Sequence, residues 1–147
     1  MFAYAIDVGR GLAVMLFSGG VSQGDHRASG RALAEFDARI TREEIPAVIV
    51  VDEAREVVVP SKRCEVSPAT PATLTTLIAL VMPHERGGLS IVTWLVGGRY
   101  VVFPALNFGE AVAWIEQRRG AALGPFFEGL LEDVRGAAGP ETERDLC

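Results

Sequence analysis

The sequence predicts an α/β domain, a mixed sheet of about five strands with helices packed on it, in the order ββ-α-β-α-ββ-α-α. Three observations predict it. Strand-length apolar runs alternate with stretches of helical periodicity along most of the chain. Glycine or proline marks nearly every boundary between them. In the middle, Val48-Ile49-Val50-Val51 is wholly β-branched, as expected of a central strand covered on both faces. With 147 residues, 49% of them apolar, the chain is long enough for one real core. Residues 1–136 are expected to form that single domain. From Gly136 on, the chain carries Gly139, Pro140 and several charges, and residues 137–147 are expected to form a disordered C-terminal tail.

Phe2, Tyr4, Ile6 and Val8 alternate with Ala3, Ala5 and Asp7, a period of two that predicts a strand. Gly9-Arg10-Gly11 then gives a tight connection to a more buried strand over Leu12–Phe17, and the pair reads as an antiparallel hairpin. Ser18-Gly19-Gly20 breaks that strand. Ser22 and Asp25 fit a capping box, and Leu33, Phe36 and Ile40 recur at helical spacing, so a helix is predicted over 23–40. Pro46 precedes the third strand, Ala47–Val51. Val57-Val58-Val59 suggests a short edge strand stopped by Pro60.

Thr70-Pro71 looks like an N-cap followed by proline at the first helical position. Leu74, Leu77, Ile78 and Val81 then predict a helix that Pro83 ends. Leu89–Val96 and Tyr100–Phe103 read as two strands joined by a Gly97-Gly98 hairpin. Asn107 and Glu110 cap a helix whose face carries Phe108, Ala111, Val112 and Ile115. Arg118 and Arg119 complement the dipole at its end, and Gly120 stops it. A last short helix is expected over 125–134.

Composition narrows the function. The net charge of −5 lacks the basic excess of a nucleic-acid binder. No apolar run approaches the ~18 residues of a membrane span, and the first residues lack the basic region of a signal peptide. Cys64 and Cys147 are too few for a disulfide framework, which fits a cytoplasmic location. His26 and His84 have no ligand-spaced partners and are expected to face solvent, so no metal is predicted. The glycine pairs match neither G-x-G-x-x-G nor the Walker pattern and read as turns, so no cofactor is expected.

The candidate site residues are Asp52, Ser61, Lys62 and Arg63. Asp52 ends the central strand, where α/β folds place ligand-facing groups. It fits better a local acceptor for its own backbone. Glu53 beside it should point to the opposite face, which weakens a shared acid–base or metal site. Ser61 is a phosphorylatable hydroxyl next to two cations that would hold an added phosphate. The plainer reading is a polar turn after Pro60. Cys64 sits beside the same cations, which favour thiolate, yet has no histidine near it in sequence. Trp94 and Trp114 read as packing residues.

Four stretches resemble the sulfate-transporter and anti-sigma-antagonist (STAS) family, in particular the looser branch related to the sporulation anti-anti-sigma factor. They are Leu16-Phe17-Ser18-Gly19-Gly20-Val21-Ser22, Val48-Ile49-Val50-Val51-Asp52, Ser61 at its spacing from Asp52, and Val102-Phe103-Pro104 through Glu110-Ala111-Val112-Ala113-Trp114-Ile115. The match spans roughly residues 12–118. It departs in two places: the family's Asp-Ser-Ser-Gly is here Pro60-Ser61-Lys62-Arg63, and Gly97-Gly98 stands where the family has a helix. The resemblance implies a non-enzymatic regulatory or protein-interaction domain, with a protein partner or self-association, and a phosphorylation or interaction loop around Ser61. The same branch also resembles lipid-transfer folds of the CRAL-TRIO type. That likeness implies the alternative, a binder of a small apolar ligand in a pocket lined from Met15, Phe17, Trp94 and Phe103.

Overall fold

The computed structural model describes residues 1–40, 45–57, 76–82 and 100–137. Within them the elements run β1 (Phe2–Asp7), β2 (Leu12–Val21), α1 (Gln23–Arg39), β3 (Ala47–Val57), β4 (Thr76–Val81), β5 (Tyr100–Ala105), α2 (Phe108–Arg119) and α3 (Gly124–Ala137). The expected α/β class and mixed five-stranded sheet are present. Spatial order equals chain order, β1-β2-β3-β4-β5. The β1–β2 pair is antiparallel, Phe2 opposite Phe17, as the short glycine-bearing link requires. All other pairs are parallel, with Val14 opposite Ile49, Ile49 opposite Ala79 and Ala79 opposite Phe103.

Parallel strands need crossover connections, and those put cover on the faces. Alternation along the strands makes two cores. On one face Leu12, Val14, Leu16, Ile49, Val51 and Ala79 pack with Ile115 of α2 and Phe127 and Val134 of α3. On the other, Ala13, Met15, Phe17, Val48, Val50 and Ile78 pack with Ala32, Leu33 and Phe36 of α1. Helix α1 lies over β1 and β2. Across the sheet, α3 covers β1 and β2, and α2 covers β3, β4 and β5. The predicted central residues Val14, Leu16, Val48, Ile49 and Val50 are all buried.

The helix boundaries follow their caps. Ser22 accepts from the Asp25 N–H, and the Asp25 carboxylate accepts from the Ser22 N–H, the reciprocal box that satisfies two orphan donors. Asn107 accepts from the Glu110 N–H at 2.8 Å. Gly120 ends α2 in the left-handed region (φ 67°), a conformation that costs glycine little.

Three sequence expectations are corrected here. The helix predicted from Thr70 to Pro83 is not formed over its second half. Thr76–Val81 is a strand, buried at every position and bonded between β3 and β5. Leu74, Leu77, Ile78 and Val81 do recur at helical spacing. However, a short run that is apolar on both faces satisfies a buried parallel strand equally well, and the periodicity does not separate the two. Likewise β3 does not stop at Val51 but continues to Val57, past the bulge opposite Gly19 and Gly20. Pro104 lies inside β5 rather than after it, in a strand with one neighbour among the described residues, where a missing N–H is tolerated. Residues 58–75, 83–99 and 138–147 lie outside the described residues. So therefore do the expected edge strand at 58–59, the Leu89–Val96 strand, the Gly97-Gly98 turn and most of the predicted tail.

Ile49 is fully buried in the central strand. Truncation to Ala should cost about 2–5 kcal/mol, since close-packed neighbours relax only partly into the space left. A denaturant melt checks this, and a loss below about 1 kcal/mol would place Ile49 outside a packed core.

Candidate functional site

Asp52 stands within β3, opposite Phe17 of β2, and is 6% exposed. It alternates with Val48 and Val50 and so belongs to the α1 face of the sheet. Its Oδ1 accepts the N–H of Ala54 at 3.0 Å. Of the two readings its sequence position allowed, the local backbone acceptor is the one its geometry displays. Glu53 points to the other face, as strand alternation requires. There it takes both guanidinium nitrogens of Arg135, at 2.8 and 3.3 Å, and ties the end of α3 to β3. The hydrogen bond to Glu53 pushes the Arg135 guanidinium further up than usual. Asp52 and Glu53 therefore do not share a site. Ser61, Lys62 and Arg63, with Cys64, lie outside the described residues. The strand that leads to them ends at Val57.

His26 was expected to face solvent and is instead fully buried. The correction has a simple cause. Residues 26, 29, 33, 36 and 40 follow the 3-4-3-4 spacing of one helical stripe, so His26 and Ser29 sit in line with Leu33, Phe36 and Ile40. The stripe was legible from the sequence, but its first two members are polar and so did not count toward an apolar face. The His26 ring lies 6.5 Å from that of Phe17. Ser29, also fully buried, donates to the His26 carbonyl at 2.7 Å. Asp52, opposite Phe17 midway along β3, belongs to the same face of the sheet. His84 is outside the described residues.

The apolar pocket expected from Met15, Phe17, Trp94 and Phe103 is not assembled by its described members. Met15 and Phe17 belong to the α1 face of the sheet, and Phe103 packs on the α2–α3 face. The sheet itself separates them. Phe103 stacks on Trp114 instead, with ring centres 4.9 Å apart and planes 7° from parallel. The Arg118 guanidinium lies 5.2 Å from the Trp114 ring. Trp114 is thus the packing residue that its helix position predicted. Trp94 lies outside the described residues.

A polar knot closes the sheet at the β1–β2 turn. Arg10, in the turn between β1 and β2, bonds Asp7 at 2.9 Å and lies 3.7 Å over the ring of Phe126. Arg119 donates to the Arg10 carbonyl at 2.8 Å, and partial burial lowers its pKa. Glu116 accepts from the N–H groups of Leu123 and Gly124 and so caps α3. These bonds link the hairpin turn to both carboxyl-terminal helices. Among the described residues, no group of three His, Cys, Asp or Glu side chains is arranged to hold a metal ion, and no helix is long and apolar enough to cross a membrane.

The Asp52–Ala54 bond makes a direct prediction. Asp52→Asn keeps an acceptor at the same place, whereas Asp52→Ala leaves a buried N–H without one. The Ala variant should be about 1–3 kcal/mol less stable than the Asn variant in chemical denaturation. Equal stabilities would show that the bond contributes nothing.

No protein-family model, no curated protein and no solved structure matches the chain.

Proposed function

We propose that the chain is a non-enzymatic regulatory or protein-interaction domain of the anti-sigma-antagonist kind, switched in the connection that carries Ser61, Lys62 and Arg63. The observation that supports this most is the state of β3. Its buried carboxylate is engaged within the strand, at Ala54. Its exposed carboxylate is engaged by α3, at Arg135. The strand runs on to Val57, four residues before Ser61. The framework is therefore held by its own side chains, and Ser61 follows in sequence the carboxyl end of a central parallel strand. That end is where open α/β sheets present their ligands.

On this reading the switch is electrostatic. A phosphate on Ser61 adds a charge of about −1.5 to −2 beside Lys62 and Arg63, with acceptor oxygens for both. The positive charge of Lys62 and Arg63 is largely neutralised, and the two cores, built on β2 and β3, are untouched. The alternative, a site for a small apolar ligand, loses the lining that suggested it, because Phe103 stands across the sheet from Met15 and Phe17.

Ser61→Asp should alter partner capture from a lysate of the native host while moving thermal stability by no more than about 1 kcal/mol, the usual range for surface changes. Ser61→Ala should capture as the wild type does when unphosphorylated. Identical capture by all three proteins would remove the switch. Native mass spectrometry of protein purified from its host adds an independent reading. A phosphorylated fraction supports the proposal, and a stoichiometric apolar ligand favours the alternative.

A further inference from the structure

We infer that β1 is a self-pairing edge, through which two copies of this chain join their sheets into one. The inference rests on the phase of the β1–β2 ladder and is independent of the Ser61 reading. Met1 and Ser18 exchange both backbone bonds: the Ser18 N–H donates to the Met1 carbonyl at 2.9 Å, and the Met1 nitrogen donates back at 2.6 Å. In an antiparallel ladder such pairs alternate with pairs that exchange none. Residues 3, 5 and 7 therefore also turn their backbone groups toward β2. Phe2, Tyr4 and Ile6 turn theirs away, to an edge where β1 has no strand neighbour among the described residues.

Among the described residues, that edge carries none of the usual protections. Phe2–Asp7 has no Lys, Pro or Gly, and its one charge, Asp7, is held at the turn by Arg10. The outward-facing set is also complementary to itself. With a two-fold axis at Tyr4, Tyr4 stands opposite Tyr4 of the second copy, and Phe2 opposite Ile6 in both directions. Each of these three pairs exchanges two backbone hydrogen bonds. No other register about this edge uses all three outward residues of both copies.

The side chains fit the same register. Phe2, Tyr4 and Ile6 share the α1 face, where the Phe2 ring lies 5.0 Å from that of Phe17 and 5.8 Å from that of Tyr4. This aromatic row crosses from β2 to β1 and ends at Tyr4, which is 39% exposed. Its hydroxyl is already bonded to Glu35 of α1 at 3.0 Å, which fixes the ring in place. Pairing across the axis continues the row with a Tyr–Tyr contact flanked by two Phe–Ile contacts, the kinds of cross-strand pair that stabilise sheets. The occupant is a second copy rather than an unrelated strand, because one segment supplies both halves of that pattern.

The test uses the full chain with Cys64 and Cys147 replaced by Ser. In the proposed register the two Cα atoms at position 4 are about 5.5 Å apart, within disulfide reach. Tyr4→Cys should then form a covalent dimer under mild oxidation, whereas Phe2→Cys, offset from its own copy by four residues, should not. Sedimentation from about 1 μM to about 1 mM, the range in which small interfaces associate, should show a monomer–dimer equilibrium for the parent protein. Tyr4→Pro removes an outward N–H and no β1–β2 bond, and should shift that equilibrium to monomer while circular dichroism stays unchanged. Tyr4→Lys is the second variant, should the proline perturb the strand. A parent that stays monomeric throughout overturns the inference. So does a dimer that survives both Tyr4 substitutions or that crosslinks equally at positions 2 and 4.

Discussion

The parallel ladder between β2 and β3 pairs Leu12–Phe17 with Ala47–Asp52, and nearly every residue in it is buried. Each strand contributes side chains to both faces, so the two cores share one backbone. Remove that ladder and α1 loses Phe17 and Val50 from beneath it, while α2 and α3 lose Val14, Ile49 and Val51. The flanking strands add to it in chain order on either side, β1 by a hairpin and β4 and β5 by crossovers. The local devices serve the same frame. The capping box at Ser22 starts α1 directly after β2, and Glu53 with Arg135 pins α3 back onto β3.

This frame explains how the polar groups are spent. A carboxylate in a strand buried on both faces needs a hydrogen-bond donor, and Asp52 finds one two residues on, at Ala54. The adjacent Glu53 is turned by strand alternation to the opposite side and finds Arg135. At the far end of the sheet, Arg10 is engaged three ways, by Asp7, by Phe126 and through its carbonyl by Arg119. Side chains midway along β3 and at the β1–β2 turn thus brace the sheet. The proposed activities lie at its margins: the chain beyond Val57 and the outer edge of β1.

Much of the frame was legible in the sequence because its signals are local. The alternation of Phe2, Tyr4 and Ile6, the glycines around Arg10, the Ser22–Asp25 pair, the β-branched run at Val48 and the stop at Gly120 each act over a few residues, and each appears where expected. What was not legible depends on neighbours distant in sequence. Thr76–Val81 is a strand because β3 and β5 hydrogen-bond it on both sides, and no feature internal to Leu74–Val81 reports that. His26 is buried because Phe17 lies under its turn of α1. Its stripe position was visible, but its polarity argued the other way. For the candidate site, the separation of Asp52 from Glu53 followed from strand alternation. The bond from Asp52 to Ala54 required the strand to continue past the point where its apolar run ends. Face assignment also undid the expected pocket, since sequence alone does not tell which side of the sheet Phe103 shares with Met15.

The central claim is that the β2–β3 pair is the stable frame on which every other element depends. Native-state hydrogen exchange tests it most directly, because amides in the most stable unit open only with the whole domain. The account predicts that amides of Ala13–Phe17 and Val48–Val51 exchange slowest and with the denaturant sensitivity of global unfolding, ahead of β1, β5 and all helices. It would be contradicted if α2 and α3 retained protection after β2 and β3 had exchanged, since a stable unit would then exist without the ladder.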